Sequence, residues 1–298
     1  ILDNLLNLYP YRNFIFQITG EAYDFNTQYS GILTNINNII QFFNNKNLSD
    51  RLIFKSNNLS IKYSNINHVP VIFWLGKSIC NIDVDFKKIQ KHFLLQIRGR
   101  NDIREKLFYW IKDINLLDLF EYSFASSEPH HKDYKSLEGL PIKNNLDIHQ
   151  MMIKEYHNTT FCNVVCESYF KDNSVFFTEK IDKPLTAKQP FIVLGSNNYL
   201  SKLKELGFKT FDKWWDESYD DELDDNVRYR KIQNVILEIS SWSIDKCNDI
   251  YTEMIPNLNH NHKIIEYIKN NPQYSDGNYS NFDYIKNKIY TYILQRGD

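Results

Sequence analysis

Glycine and proline are scarce, nine and eight in 298 residues. That excludes collagen-like repeats and a linker-dominated chain. Cysteine is scarcer still, at Cys80, Cys162, Cys166 and Cys247. Cys162 and Cys166 do not form a C-x-x-C pair and no second ligand pair follows, so no zinc site is expected. Buried thiols in a reducing compartment are the default. Long apolar runs are missing too. "PVIFWLG" and "PFIVLG" fall far short of the roughly 20 residues a membrane span needs. No basic-then-apolar leader is read at the start, although opening on Ile1 rather than Met suggests that residues upstream are missing. An excess of either charge is also lacking: 35 basic residues stand against 37 acidic ones, a net charge of −2. A chain that grips a nucleic-acid backbone usually carries a basic stripe, and none is visible.

What is present describes a folded enzyme-sized protein. The chain is 42% hydrophobic and 24% charged, with 20 Tyr and 20 Phe. The length suits one large domain or two lobes. Strand-like runs stand at 14–18, 51–56, 70–76, 161–168, 175–177 and 190–195. Helical spacing of apolar residues appears at 31–44, 102–119, 199–207, 225–254 and 281–295. Asp102 is placed to cap its helix and Gly207 to close another. The most irregular segment is the polar stretch 126–145. Strands alternating with helices predict an α/β fold with a mainly parallel sheet. In such sheets ligands sit beyond the carboxyl ends of the strands. That rule selects Gly20-Glu21, the stretch 98–104, Glu167-Ser168, and Thr178-Glu179-Lys180.

Each place admits two readings. "IRGRNDIR" puts Arg98, Arg100 and Arg104 at a strand-to-helix junction. There guanidinium groups and a helix N-terminus favour phosphate oxygens, or the arginines simply pair with Asp102 and Glu105. In "TEKIDKPLTAK", Thr178 can cap a helix with Glu179 in its first turn and Lys180 solvated. Alternatively Glu179 holds the two hydroxyls of a ribose and Lys180 a diphosphate. Gly195-Ser196-Asn197-Asn198 follows a strand and can offer backbone N–H groups to an anion, but it has too few glycines for a P-loop. Glu21 after Gly20 is either a loop residue or a positioned carboxylate base. His130-His131 and His260-Asn261-His262 lack the spacing of a metal pair and are attributed to loop polarity and helix capping. Trp214-Trp215 and the acidic run "DESYDDELDD" are expected to form a packed turn and a solvated loop. No nucleophile elbow supports a Ser-His-Asp triad.

Taken together, "FCNVVCESYFKDNSVFFTEKIDKPLTAKQPFIVLGS" at 161–196 resembles the donor-binding signature of the α1,3-fucosyltransferase family. That signature is a strand ending in a Phe-Glu-Asn-like turn, then Thr-Glu-Lys and a helix, then a strand ending in Gly-Ser. "RGRNDIREKLFYWIKDINLLD" is similar to the upstream segment in which an Arg meets the donor phosphate. The extension "FIVLGSNNYLSKLKELGFKTFDKWWDESYDD" is closer to fucosyltransferase-like proteins of viruses, phages and marine microbes. The resemblance covers roughly 90–235 and is densest at 167–195.

The resemblance implies a GT-B fold, two Rossmann-like lobes with a reduced N-terminal lobe. Residues 1–88 would be the acceptor-side lobe, short or entered part-way, and 89–298 the nucleotide-sugar donor lobe. It implies Arg104 on the diphosphate, with Arg98 or Arg100 assisting, Glu179 on the ribose and Lys180 on the phosphates. The Glu167-Ser168 turn, Thr178 and Gly195 would line the donor. "TGEAYDFN" is similar to the family's "TGEN", which makes Glu21 the candidate general base. Ser168 departs from the pattern, because the family usually has Asn there. The implied reaction is inverting, metal-independent transfer of a sugar from a nucleotide diphosphate to a glycan hydroxyl, in the cytoplasm, or host cytoplasm if the protein is viral. A hexosyl or deoxyhexosyl group is expected, with GDP-fucose the first donor and a GDP-sugar favoured over a UDP-sugar. No cofactor and no metal ligand is expected. Two alternatives stay open: transfer to a modified base in DNA, which would make nucleic acid the partner, and an inactive nucleotide- or glycan-binding module.

Overall fold

The computed structural model describes residues 2–18, 30–56, 59, 67–72, 75–76, 88–97, 102–124, 152, 154–171, 175–275 and 281–296. Helix α1 (Leu2–Leu8) leads into β1 (Phe14–Ile18), α2 (Ser30–Asn45), β2 (Leu52–Ser56) and β3 (Asn67–Pro70). These strands form a three-stranded parallel sheet in the order β1-β2-β3. Among the described residues, Phe43 from α2 clusters with Leu52 and Phe54 of β2, and Phe14, Phe16, Ile39 and Ile40 pack against them half-buried. β2 alternates buried and half-buried residues, the pattern of a strand covered on one face.

A second parallel sheet follows. Its strands are β4 (Lys91–Ile97), β5 (Phe120–Phe124), β6 (Thr160–Cys166) and β7 (Phe191–Leu194), in the order β5-β4-β6-β7. All seven residues of β6 and all four of β7 are buried. A parallel strand covered on both faces is buried along its whole length, as these are, with Thr160 and Asn163 the polar members of β6. The intervening helices are α3 (Asp102–Asp113), α4 (Lys154–Thr159), α5 (Glu179–Thr186) and α6 (Tyr199–Glu205). Three longer ones close the chain: α7 (Asp225–Ser240), α8 (Ile244–Lys269) and α9 (Phe282–Arg296). The protein is thus α/β with parallel sheets and flanking helices, consistent with Rossmann-like organisation.

The large core is not confined to residues after 88. Leu59, Ile72 and Leu75 are buried in it. Backbone joins the two parts of the chain as well. Leu59 N–H donates to the Val175 carbonyl at 2.7 Å, and Val71 bridges Asn281. Gly76 N–H donates to Asp182 Oδ1 at 2.9 Å.

Four expectations need correcting. The strand read at 70–76 overlaps β3 only at Pro70; Val71 makes an isolated bridge and residues 75–76 lie in a turn. Residues 175–177 are buried but form no strand. They cross the core in extended form, with Phe176 against Tyr169 and Phe177 edge-on to Tyr199 at 5.2 Å. The helix expected over 102–119 stops at Asp113, because Asn115 turns left-handed at φ 58 and a 3-10 turn follows at Leu117–Leu119. The helical pattern read as ending near Met254 continues to Lys269 through Pro256. Met254, Leu258, Asn261, Ile264, Ile265 and Ile268 are its buried stripe, spaced for a helix. His260 and His262 therefore lie inside α8 rather than in a loop. His260 Nε2 meets the Gly207 carbonyl at 2.8 Å, just beyond α6. Burial lowers the pKa of His262. The polar stretch 126–145 lies outside the described residues.

Candidate functional site

The chain runs from β4 outward to β5 on one side, then returns to β6 and β7 on the other. The order reverses between β4 and β6. At such a switch point the loops leaving two neighbouring strands diverge and open a crevice at the carboxyl edge. Residues following β4 and β6 meet there.

Arg104 arrives on the first turn of α3. It shares the inner stripe of that helix with Leu107, Phe108 and Ile111, all buried. The apolar stripe anchors the helix, and its first member, at the sheet edge, is a guanidinium. Arg104 Nε donates to the Glu167 carbonyl at 3.1 Å, and Nη2 reaches Ser168 Oγ at 3.4 Å. These contacts span the switch point, tying the helix after β4 to the turn after β6. The next stretch is held from behind. Arg228 lies over the Phe170 ring at 4.3 Å, donates to the Phe170 carbonyl and to Glu222 O, and pairs with Asp225.

Thr178 caps α5, its Oγ1 accepting from Lys180 N–H at 3.2 Å. The same hydroxyl donates to Glu167 Oε2 at 2.8 Å and accepts from Lys180 Nζ at 3.3 Å. Lys180 Nζ lies 3.4 Å from Glu179 Oε1 and 3.9 Å from Glu167 Oε2. The cap expected of Thr178 is formed, but Lys180 is drawn to the sheet edge rather than left in solvent, with its side chain 26% exposed.

Glu167 is only 2% exposed. Its carboxylate accepts from Tyr199 Oη at 2.7 Å as well as from Thr178. Burial raises its pKa, opposed by Lys180 and by the Tyr199 hydrogen bond. Burial also lifts Tyr199 well above its ordinary range and pushes Cys166, the preceding residue, up to about 12. Glu167, expected to line a ligand, is a buried carboxylate that ties Thr178, Tyr199 and Lys180 together at the end of β6. Gly195 belongs to the same packing. A Cβ there would stand 3.0 Å from Val193 Cγ1, 3.4 Å from the Tyr199 ring and 3.7 Å from Glu167 Cβ.

The loop at 195–198 does not leave its helix end open to an anion. Leu200 and Ser201 N–H donate to the Asp220 carboxylate at 2.7 and 2.8 Å, and Asn198 N–H to the Asp220 carbonyl. Asp220 comes from the acidic run expected to be solvated. Glu217 of that run is buried too, accepting from Thr210 Oγ1 and Phe211 N–H. Burial raises the pKa of both carboxyls.

Of the anticipated site residues, the fold brings together Arg104, Glu167, Ser168, Thr178, Glu179, Lys180 and Gly195. Arg98, Arg100 and the Gly20-Glu21 pair lie outside the described residues. Cys162, Cys166 and Cys247 are buried thiols, not disulfide-bonded. Among the described residues no group of three or more His, Cys, Asp or Glu is placed to hold a metal ion. No described helix is long and apolar enough to cross a membrane. Tyr199 and Asp220 were missed. The signal for Tyr199 was indirect: a carboxylate at a buried strand end needs donors, and a tyrosine opens the next helix.

Comparison of the chain with family models, with curated proteins and with solved structures returns no match. The arrangement itself offers one guanidinium and one ammonium at a switch point, with a half-buried carboxylate, Glu179, beside them. That set suits a ligand with a diphosphate and a pair of vicinal hydroxyls.

Proposed function

We propose that the protein is an inverting glycosyltransferase with two Rossmann-like lobes arranged as GT-B, using a nucleotide-diphosphate sugar. The supporting observation is the convergence of Arg104 and Lys180 on the end of β6, on either side of Glu167. The resemblance of 161–196 to the α1,3-fucosyltransferase donor signature points the same way and makes GDP-fucose the first donor.

Breaking a sugar–phosphate bond builds oxocarbenium character on the sugar and negative charge on the departing diphosphate. Fixed cations stabilise that charge most when they are held before the reaction begins. Arg104 is held by Glu167 O and Ser168, and Lys180 by Thr178 and two carboxylates. Glu179 takes the ribose hydroxyls. Glu21 is the proposed base that removes the proton from a glycan hydroxyl for in-line attack on the face opposite the leaving group. Closure over the donor excludes water that would otherwise hydrolyse it.

Thermal unfolding with GDP, UDP, ADP and CDP tests the donor site. Stabilisation by GDP supports the reading, stabilisation by UDP alone changes the donor, and no response to any of them rejects it. Lys180→Ala should lower donor turnover by roughly 10²-fold or more while the protein stays folded. Unchanged turnover would remove Lys180 from the mechanism.

A further inference from the structure

Every group facing Glu167 bears on its charge. Lys180 Nζ, on α5, is 3.9 Å from Oε2, with Glu179 beside it at 3.4 Å from the same ammonium. Thr178 and Tyr199 donate to its two oxygens. Arg104, on α3, holds its backbone carbonyl, Cys166 precedes it, and Asp182 acts on Tyr199 from the inner side of α5. Before a ligand arrives, Lys180 is balanced from within by Glu167 and Glu179.

An incoming diphosphate replaces those partners. It draws Lys180 away from Oε2 and brings further negative charge to the same place. A buried carboxylate would then face a like charge without its cation, in surroundings where water screens little. Thr178 provides a way out. Its Oγ1 now accepts from Lys180 Nζ, and that lone pair becomes available when Lys180 moves.

Resting on the anion-site reading above, we propose that Glu167 takes up one proton from solvent when an anion docks on Lys180 and Arg104, so that binding at this site is linked to pH. The proton goes to Oε2. Thr178 Oγ1 then accepts from that new O–H instead of from Lys180 Nζ and turns its own hydrogen toward the anion. Tyr199 continues to donate to Oε1. No other bond changes. Burial has already moved the Glu167 carboxyl above its ordinary value of 4.5, with Lys180 the main group opposing the shift. Removing that opposition favours the protonated form further.

The test is titration calorimetry of the full chain with GDP, in buffers of differing ionisation heat, from about pH 5 to pH 9. Wild type should take up protons on binding, and its affinity should fall up to about tenfold per pH unit across the window of uptake. Glu167→Gln keeps the shape of the side chain and should abolish the excess uptake. The proton balance of GDP itself is common to both proteins. Tyr199→Phe removes a donor from the ionised carboxylate and should move the window to higher pH. It also decides the matter if Glu167→Gln does not fold. Equal uptake in wild type and Glu167→Gln, or an unmoved window in Tyr199→Phe, overturns the proposal. Failure of GDP, UDP and pyrophosphate alike to give binding heat overturns the anion-site reading and this proposal with it.

Discussion

A carboxylate that loses water on folding must find donors or a proton, and Glu167 has been given two hydroxyls and a nearby ammonium. Its pKa is nevertheless raised, so burial outweighs those partners. The consequence for stability has a definite sign. A carboxyl with a raised folded pKa binds more protons folded than unfolded between its two pKa values. Its contribution is therefore fully present below about 4.5 and is lost as pH rises through the folded value. Glu167→Gln removes that dependence. Urea midpoints measured from mildly acid to mildly alkaline pH should fall less steeply in the variant than in wild type. Parallel curves would show that Glu167 is not the group responsible. The sequence marked Glu167 as belonging to the site but not as buried under it. That depth depends on Tyr199, 32 positions away and joined only by the fold. A tyrosine opening an amphipathic helix is indistinguishable, in one sequence, from any other core aromatic.

At the scale of elements, two short helices, α5 and α6, bring Thr178 and Tyr199 to Glu167, and each is held by a cap. Thr178 caps α5 from within the motif, as its residue type and position predict. α6 is capped from a distance by Asp220. Asp220→Ala strands the Leu200 and Ser201 N–H groups and should cost about 1–2 kcal/mol, read from denaturant unfolding. A change below about 0.5 kcal/mol, the ordinary surface range, would mean that α6 does not need this cap. Thr178→Ala should cost a similar ~1–2 kcal/mol, and Thr178→Ser, which keeps the hydroxyl, should recover most of it. Equal loss in both would place the effect in the methyl group. Elements were legible where period and punctuation agreed. Residues 14–18 form β1 as anticipated, β7 falls within its apolar run, and β6 overlaps the run read at 161–168 but starts at Thr160. The "VFF" run failed as a strand because a short apolar segment crossing a core has the same pattern as a buried strand. The end of α8 was missed because Pro256 and the mostly polar 257–263, with only Leu258 apolar, obscured a stripe that runs on through Leu258 and Asn261 to Ile268. Asp220 was read as solvated because a run of carboxylates is usually a surface. Two of its members, Glu217 and Asp220, instead fold inward to satisfy backbone N–H groups.

At the scale of the whole molecule, the two parts of the chain meet closely at Gly76. This residue has φ +83, a conformation that suits glycine, and its N–H holds Asp182 on α5. A Cβ there would come within 2.7 Å of Ile268 Cγ2 on α8. Gly76→Ala should therefore destabilise by about 2–4 kcal/mol, from backbone strain and overpacking together, and a neutral result in thermal or urea unfolding would refute the tight join. The two sheets also differ in how much core supports them. Among the described residues, the first has three fully buried core members, Phe43, Leu52 and Phe54, while β4, β6 and β7 are buried inside the large cluster. Regions with fewer buried apolar contacts open at lower free energy. In native-state hydrogen exchange at low denaturant, the amides of β2, central in the first sheet, should exchange through local opening. Those of β6 should exchange only with global unfolding. Matching free energies for the two strands would mean that the chain opens as one unit. The predicted order has a chemical sense for the proposed reaction. Arg104 and Lys180 must keep their positions before the donor arrives, and both stand on helices packed against the better-buried sheet.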